Sequence, residues 1–287
     1  MSLTRRQFSA AAATAAAALQ LPGHVLAQQT GGTGPSAGAG HKEVDHDMSS
    51  MPAHWMGAEQ IAFLVYPQFT ALDMVGPHHM LTSLMGAKVH LVAKTRDPVQ
   101  SDTGLAVMPS MTFDECPADL DIICVPGGSH GTLAAMKDEA TMLFLKDRGN
   151  RAKYVTSVCT GSLLLGAAGL LTGYRATSHW ATKGLLPIFG ATPADGRVVD
   201  DRNRITGGGV TAGIDFGLTI VGRLRDRQYA EGVQLLAEYD PKPPYSAGTP
   251  ERAPAEVTAL IEGMFAEFVA EAEKTGRTAF ARFGRLQ

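Results

Sequence analysis

A short strand that ends in a cysteine and turns directly into an apolar helix constrains this fold more than any other part of the chain. Residues 154–158 are rich in β-branched side chains and predict a buried strand, and the apolar run after Gly161 predicts a buried helix. Cys159 lies at the corner between them. A corner of this kind places the thiol at a helix N-terminus, where the helix dipole and free N–H groups are expected to lower its pKa. The pattern predicts a cysteine nucleophile elbow, and the alternative is a thiol that only packs behind the sheet.

Strand and helix patterns alternate along the rest of the chain. Strands or hairpins are predicted at residues 61–66, 89–93, 99–108, 120–125 and 196–205, and helices open near Asp73, Thr141, Gly207 and Val257. This alternation predicts an α/β fold, a flavodoxin-like three-layer sandwich with a mostly parallel sheet. In such a sheet ligands bind beyond the carboxyl ends of the strands. We therefore expect the loops that carry Asp73, Gly127–Gly128 and Cys159 to meet there.

A cysteine nucleophile needs a group that moves protons and donors that hold developing charge. Asp73 follows a strand and has apolar neighbours. Burying a carboxylate there costs free energy unless the group has a partner or a catalytic role, so Asp73 is the candidate proton carrier. Its alternative role is to cap the following helix. The backbone N–H groups of Thr160 and Gly128 are candidate oxyanion donors. The Gly127–Gly128 pair permits close backbone approach, although alone it would indicate only an ordinary turn.

His179 is a second candidate base for Cys159, as in cysteine hydrolases. A position in the core or behind the site, beside Trp180, is favoured for it.

Four segments of the chain together resemble the ThiJ/PfpI superfamily. They are the Asp73-Met-Val-Gly-Pro loop, Pro126-Gly-Gly, the Cys159-Thr-Gly elbow with its apolar helix, and Arg175-Ala-Thr-Ser-His-Trp. Within the superfamily they look most like the isonitrile hydratase branch, as does the segment from Glu238 to Ala253. The similarity covers residues 60 to 268.

The resemblance implies roles for individual residues. Cys159 corresponds to the nucleophile, and Asp73 corresponds to its acidic partner, where many relatives carry glutamate. Thr160 stands where proteases and deglycases of the superfamily usually have histidine, which matches the hydratase branch. The elbow also occurs in regulators that join this domain to a helix-turn-helix module. Such a module needs a long basic extension, whereas an acidic-to-neutral helix follows here.

The first 27 residues have the pattern of an export signal. Arg5-Arg6-Gln-Phe is a twin-arginine pattern, and the Ala-rich, weakly apolar segment after it ends in small residues at Ala27. Cleavage there, and export by the twin-arginine machinery to the bacterial periplasm, are expected. The alternative is a chance arginine pair before an Ala-rich helix. No other run is long and apolar enough to predict a membrane span.

Residues 28–57 predict a disordered spacer, because they are rich in Gly, Ser, Ala and polar residues. The ThiJ/PfpI-like domain is then expected to occupy residues 58–287. Imidazole and thioether groups in the spacer form a candidate copper tract, although short His-rich tracts also occur in linkers without a metal role. The tract consists of His41, His46, Met48, Met51, His54 and Met56.

Charge and cysteine content exclude several classes of function. Removing residues 1–27 removes two arginines and no acid, so 25 basic residues become 23 against 28 acidic ones and the formal charge goes from −3 to −5. This balance, without a basic stripe, argues against nucleic-acid and anionic-membrane partners. Three cysteines are too few for a disulfide scaffold. A Cys116–Cys124 disulfide remains open, and either way Cys159 is the reactive candidate.

Taken with the resemblance, these features predict a cofactor-independent hydratase that converts an isonitrile to an N-substituted formamide through a thioimidate on Cys159. The expected partners are a small-molecule substrate and, from the habits of the superfamily, a second copy of the chain. The alternatives are glyoxalase or deglycase chemistry on small aldehydes, a non-catalytic ligand- or redox-sensing domain, and copper handling by the His/Met tract.

Overall fold

The computed structural model describes residues 51–285. Within this range a seven-stranded sheet has the order β10-β11-β7-β6-β1-β2-β5, and every neighbouring pair is parallel except β10 and β11. The strands are β1 Gln60–Leu64, β2 Lys88–Ala93, β3 Val99–Gln100, β4 Ala106–Val107, β5 Met111–Thr112, β6 Ile122–Val125, β7 Tyr154–Val158, β8 Arg175–Ala176, β9 Thr192–Pro193, β10 Val198–Asp201 and β11 Arg204–Gly207.

Helices cover both faces of this sheet, as predicted for a three-layer sandwich. They are α1 Ala71–Leu81, α2 His130–Lys137, α3 Glu139–Arg151, α4 Gly161–Ala167, α5 Ala212–Leu224, α6 Arg227–Leu236 and α7 Ala255–Ala279, with 3-10 helices Ala53–Trp55 and Lys183–Phe189 and a π-helical turn Phe280–Gly284. Helix α1 packs on α5, which also contacts α6. In the other layer α2 and α4 contact each other, and each contacts both α3 and α7. Within residues 51–285 no helix combines the length and apolar character that crossing a bilayer requires.

The three central strands bring the predicted site loops together. Strands β1, β6 and β7 are adjacent, parallel and almost wholly buried, as expected for strands covered by helices on both faces. Their register pairs Phe63 with Cys124, and Cys124 with Thr156. The carboxyl ends of the three strands therefore lie side by side, and the segments that carry Asp73, Gly127 and Cys159 all leave from this edge.

Both predicted hairpins are confirmed, whereas one helical prediction needs correction. The region before β7 contains two helices, α2 and α3, where a single helix was predicted to open near Thr141. Asp138 separates them, because its backbone is extended and its side chain accepts the Thr141 N–H at 2.9 Å. The last helix, α7, packs only part of its apolar side chains into the core. Phe268 is buried in α7, but Leu260 and Met264 are 64% and 70% exposed.

The folded domain begins before residue 58, so the predicted disordered spacer does not extend to Gly57. The Trp55 ring packs edge-on against Tyr229, and its Nε1 donates to Asp226 at 2.7 Å. Arg225 donates to the Trp55 carbonyl at 2.7 Å and forms a bidentate ion pair with Glu59. These contacts fasten the segment before β1 to the end of α5.

Candidate active site

Cys159 adopts the strained backbone of a nucleophile elbow. Its φ angle is +58°, in the left-handed region that side-chain-bearing residues seldom occupy. Backbone hydrogen bonds hold this conformation, because the Cys159 N–H donates to the Gly208 carbonyl at 2.8 Å and the Cys159 carbonyl accepts the hydroxyls of Ser162 and Ser178. The thiol residue is only 5% exposed. Access to the sulfur is therefore limited to a small or narrow group.

Asp73 lies in the first turn of α1, fully buried beside this elbow. It does not cap the helix, since Thr70 occupies the N-cap position. Its Oδ2 accepts the Gly127 N–H at 2.9 Å, and its carboxyl interacts with the Cys159 thiol. Among the described residues, Asp73 Oδ1 is buried and has no hydrogen-bond partner. This carboxyl oxygen is therefore available to hold a proton.

Burial governs the protonation of Asp73. Desolvation raises the pKa of this carboxyl to about 7, against the smaller opposing effects of the Gly127 N–H and the Cys159 thiol. An aspartate with an ordinary pKa would be ionised throughout the neutral range. Asp73 instead changes charge close to neutral pH, which suits a group that both accepts and donates a proton.

Thr160 lies at the N-cap of α4, and its hydroxyl is tied to the glycine loop. Its Oγ1 accepts the Gly128 N–H at 2.9 Å and lies 3.1 Å from the Gly128 carbonyl, to which it donates. The Thr160 backbone N–H and hydroxyl both lower the pKa of Cys159. Thr160 therefore belongs to the site, as predicted, and connects the sulfur to the loop after β6.

The glycine pair has a different role from the predicted one. The N–H of Gly127 is already donated to Asp73 and that of Gly128 to Thr160, so the prediction of Gly128 as a free oxyanion donor is wrong. A Cβ at Gly127 would lie 2.5 Å from Thr160 Oγ1 and 2.8 Å from Asp73 Oδ2. Glycine is needed here because the backbone itself holds the two side chains around the cysteine.

The expectation of a lowered thiol pKa is also wrong. Full burial, followed by the negative charge of Asp73, raises the pKa of Cys159 well above its ordinary value. These effects outweigh the N–H groups at the start of α4, a helix of seven residues. Cys159 and Asp73 consequently share a proton near neutral pH, with the thiol as its main holder.

His179 does not pair with the nucleophile. Its ring stacks on Phe265 with the ring centroids 5.3 Å apart, and its Nδ1 accepts the Ala181 N–H. Burial lowers the pKa of this histidine. A Cβ at Gly209 would lie 3.7 Å from the Cδ2 atom of this histidine. This agrees with the favoured interpretation of His179 as a residue of the surrounding wall rather than the base.

The structure also brings in two residues that the sequence did not single out. The Thr132 hydroxyl lies 3.0 Å from Thr160 Oγ1, and the Tyr66 hydroxyl lies 3.2 Å from Thr132. Tyr66 was predicted only as the end of a core strand. Nothing in the sequence marks Thr132, because the helix α2 that carries it was not predicted.

Half of the candidate copper tract falls within the described residues. Met51 and Met56 are exposed, and the His54 Nε2 atom lies 2.6 Å from Asp226 Oδ2. His41, His46 and Met48 lie outside the described residues. Copper binding stays a prediction. The three cysteines are all free and buried, so the Cys116–Cys124 disulfide that the sequence left open does not form.

Comparison with known proteins identifies the family of this elbow. Residues 59–223 match the DJ-1/PfpI family. The chain belongs to this family. It is 54% identical over 200 residues to isonitrile hydratase from Pseudomonas putida, in an alignment that covers 70% of this chain and 87% of that enzyme. The resemblance stated from the sequence is thereby confirmed.

Two further proteins are similar to this chain. A crystal structure of a ThiJ/PfpI family protein from Pseudomonas syringae is 55% identical, with a TM-score of 0.77, and the match covers 84% of this chain and 98% of that one. The HTH-type transcriptional regulator GbdR from Pseudomonas aeruginosa is 28% identical over 198 residues. That match covers 66% of this chain and 53% of the regulator.

We predict that Gly127→Ala lowers the free energy of unfolding by about 2 kcal/mol, because the added methyl group must displace Asp73 or Thr160 in a closely packed site. Urea denaturation measures the change. Gly232→Ala is the matched control, since its Cβ would meet nothing within 4 Å and alanine favours the helix α6. Equal stability of Gly127→Ala and the wild type would show that the contact is not close.

Proposed function

We propose that this protein is an isonitrile hydratase that converts an isonitrile and water to an N-substituted formamide. The observation that carries the proposal is the buried Asp73 carboxyl, which the Gly127 N–H holds beside the Cys159 thiol of the elbow. Burial raises the pKa of this carboxyl to about 7. The similarity to the Pseudomonas putida enzyme supports the same reaction.

The electrophile must suit a site in which the backbone donors are already engaged. Attack on a carbonyl places negative charge on oxygen, which needs free N–H donors, yet Gly127 and Gly128 donate to Asp73 and Thr160. Attack on the terminal carbon of an isonitrile places the charge on carbon, where a proton is needed instead. A linear isonitrile is also narrow enough to approach a sulfur that is almost fully enclosed.

The first step uses the proton shared by Cys159 and Asp73. The Asp73 carboxylate takes the thiol proton, and the sulfur lone pair forms a bond to the terminal carbon of the isonitrile. The carbon lone pair then takes the proton from the Asp73 carboxyl. The product is a thioimidate in which the former isonitrile carbon carries one hydrogen and the Cys159 sulfur.

The second step consumes water. The Asp73 carboxylate accepts a proton from water as the water oxygen adds to the thioimidate carbon, and Asp73 passes this proton to the nitrogen. Asp73 then takes the second proton of the former water from the new hydroxyl group as the carbon–sulfur bond breaks. The formamide leaves, and Asp73 returns that proton to the Cys159 sulfur. Thr160 stabilises negative charge on the sulfur in both steps through its N–H and hydroxyl. The sequence of steps is balanced with water as the only co-substrate.

Formamide production from a simple alkyl isonitrile tests the proposal directly. We expect turnover by the purified protein, measured by mass spectrometry. Cys159→Ala should abolish turnover because the covalent step is lost. Asp73→Asn should reduce it by about 100-fold or more because the proton carrier is lost. Cys116→Ala, which removes a buried thiol away from the site, should keep turnover within about two-fold of the wild type.

Absence of formamide from wild-type protein with a reduced Cys159 would contradict the proposal. Consumption of methylglyoxal by the same sample would then favour the glyoxalase or deglycase alternative. Binding of an isonitrile without turnover, retained in Cys159→Ala, would favour a ligand-sensing domain.

We also propose that the protein is exported to the periplasm by the twin-arginine pathway. Arg5 and Arg6, the Ala-rich segment after them and the small residues ending at Ala27 support this proposal. Arg5→Lys combined with Arg6→Lys should retain the full-length chain in the cytoplasm of a bacterial host, as seen by cell fractionation. Equal periplasmic amounts of both forms would contradict it.

We further propose a homodimer, supported by apolar side chains that remain exposed beside the site. Leu72 and Val75 on α1 are about 40% exposed, and Leu105 and Met108 at the β3–β4 hairpin are 50% and 63% exposed. The hairpin adjoins the start of α1, where Thr70 donates to Asp102 at 2.7 Å. A surface of this kind commonly marks a protein interface.

A further inference from the structure

A row of three buried hydroxyl groups leads away from the nucleophile. Tyr66, Thr132 and Thr160 are each at most 5% exposed. Their oxygen atoms are linked in series, with 3.2 Å between Tyr66 and Thr132 and 3.0 Å between Thr132 and Thr160. Thr160 follows Cys159 directly in the chain, and its hydroxyl lowers the pKa of the Cys159 thiol. The mechanism proposed above uses only the last member of this row.

The protons in the row are fewer than the acceptors. The Tyr66 hydroxyl donates its single proton to the Pro126 carbonyl at 2.8 Å. The contact between Tyr66 and Thr132 is then a hydrogen bond only when Thr132 donates. Thr132 can instead donate to Thr160. It cannot do both at once, so its proton has two alternative positions.

The position of that proton decides what Thr160 does with its own. When Thr132 donates to Tyr66, the Thr132 oxygen is free to accept the Thr160 proton and competes with the Cys159 sulfur for it. When Thr132 donates to Thr160, this competition ends, and the Thr160 hydroxyl becomes a more polarised donor. The remaining acceptors for Thr160 are the Gly128 carbonyl at 3.1 Å and the sulfur.

We propose that Thr132 is a positioning residue that turns its proton toward Thr160 when the Cys159 sulfur is negative, and so directs the Thr160 hydroxyl to the sulfur. Tyr66 is the alternative acceptor that holds the Thr132 proton when the sulfur is a neutral thiol. The proposal rests on the assigned role of Thr160 and Cys159 in the hydratase reaction.

Few other groups can change the pKa of the Cys159 thiol. Asp73 from α1 is the titratable group that acts on the Cys159 thiol. Across the row, Tyr66, which follows β1, is itself affected by the charge of Cys159. Tyr66 keeps its proton, because burial raises its pKa well above the ordinary value. His179 faces Phe265 and Gly209 instead. A shift that follows substitution of Thr132, with Asp73 unchanged, therefore reports on the hydroxyl row.

Alkylation of Cys159 by iodoacetamide over a range of pH, followed on the Cys159 peptide by mass spectrometry, tests the proposal without any isonitrile. Thr132→Val preserves the shape of the side chain and removes the hydroxyl. We expect the alkylation midpoint to rise by about half a pH unit. With an isonitrile, kcat should fall about three- to ten-fold with KM unchanged, and Thr132→Ser should restore both.

Tyr66→Phe distinguishes a directed proton from simple loss of structure. It removes the alternative acceptor, so the Thr132 proton remains with Thr160, and the midpoint should be unchanged or lower. Thr156→Val is the control, since this buried hydroxyl donates to the Ile123 carbonyl in the sheet and should leave the midpoint unchanged.

Three outcomes would overturn the proposal. They are a wild-type midpoint in Thr132→Val, an equal rise in Thr132→Val and Tyr66→Phe, or no rescue by Thr132→Ser. If Thr132→Val fails to fold, a rise in Tyr66→Phe alone is sufficient to overturn it. Alkylation needs no substrate, so the two proposals can fail separately. If the variants show the predicted alkylation midpoints but the wild type makes no formamide, the hydratase function is contradicted and the effect of Thr132 on Cys159 is still supported.

Discussion

The hydrogen bond from the Gly127 N–H to Asp73 is the interaction on which the site depends. It holds a buried carboxyl against Cys159, although burial alone disfavours the charged form. The same short loop holds Thr160 through Gly128. Two consecutive backbone donors thus fix both side chains that act on the sulfur, and this requires a glycine at position 127, where a Cβ would collide with both. The chemistry follows from a loop that binds side chains rather than substrate oxygen.

Because it is buried, the Cys159 thiol holds its proton more strongly than the thiol of an exposed reactive cysteine does. A thiol that stays protonated until substrate arrives is less prone to oxidation than a thiolate. Such protection would be useful if the protein works in the periplasm, as we propose. The proton leaves only for the adjacent Asp73 carboxylate, so the nucleophile is generated beside the group that will protonate the substrate carbon. The low exposure of the site therefore favours the proposed reaction, because it keeps the proton between Asp73 and Cys159 until the substrate carbon accepts it.

The sequence was sufficient to predict the sheet, the elbow and the loops that meet at its edge, because buried parallel strands have long apolar runs and a cysteine between such a strand and an apolar helix is typical of a nucleophile elbow. It could not predict the pKa of Cys159, which depends on how far the site is enclosed by segments distant in the chain. Nor could it predict that Gly128 donates to Thr160, because a sequence does not show whether a backbone N–H donates to a side chain or to a substrate. Thr132 was missed because the helix that carries it has no clear periodic pattern.

The most direct test of this account is the pKa of the Asp73 carboxyl, measured by ¹³C NMR on protein labelled at aspartate and assigned by comparison with Asp73→Asn. Burial disfavours the carboxylate, so the carboxyl should stay neutral well above the pH at which an exposed aspartate ionises. The account predicts a titration midpoint of about 7. A midpoint near 4, the value of an ordinary aspartate, would contradict it, because Asp73 would then be too weak a base to take the proton of the buried Cys159 thiol and pass it to the substrate carbon.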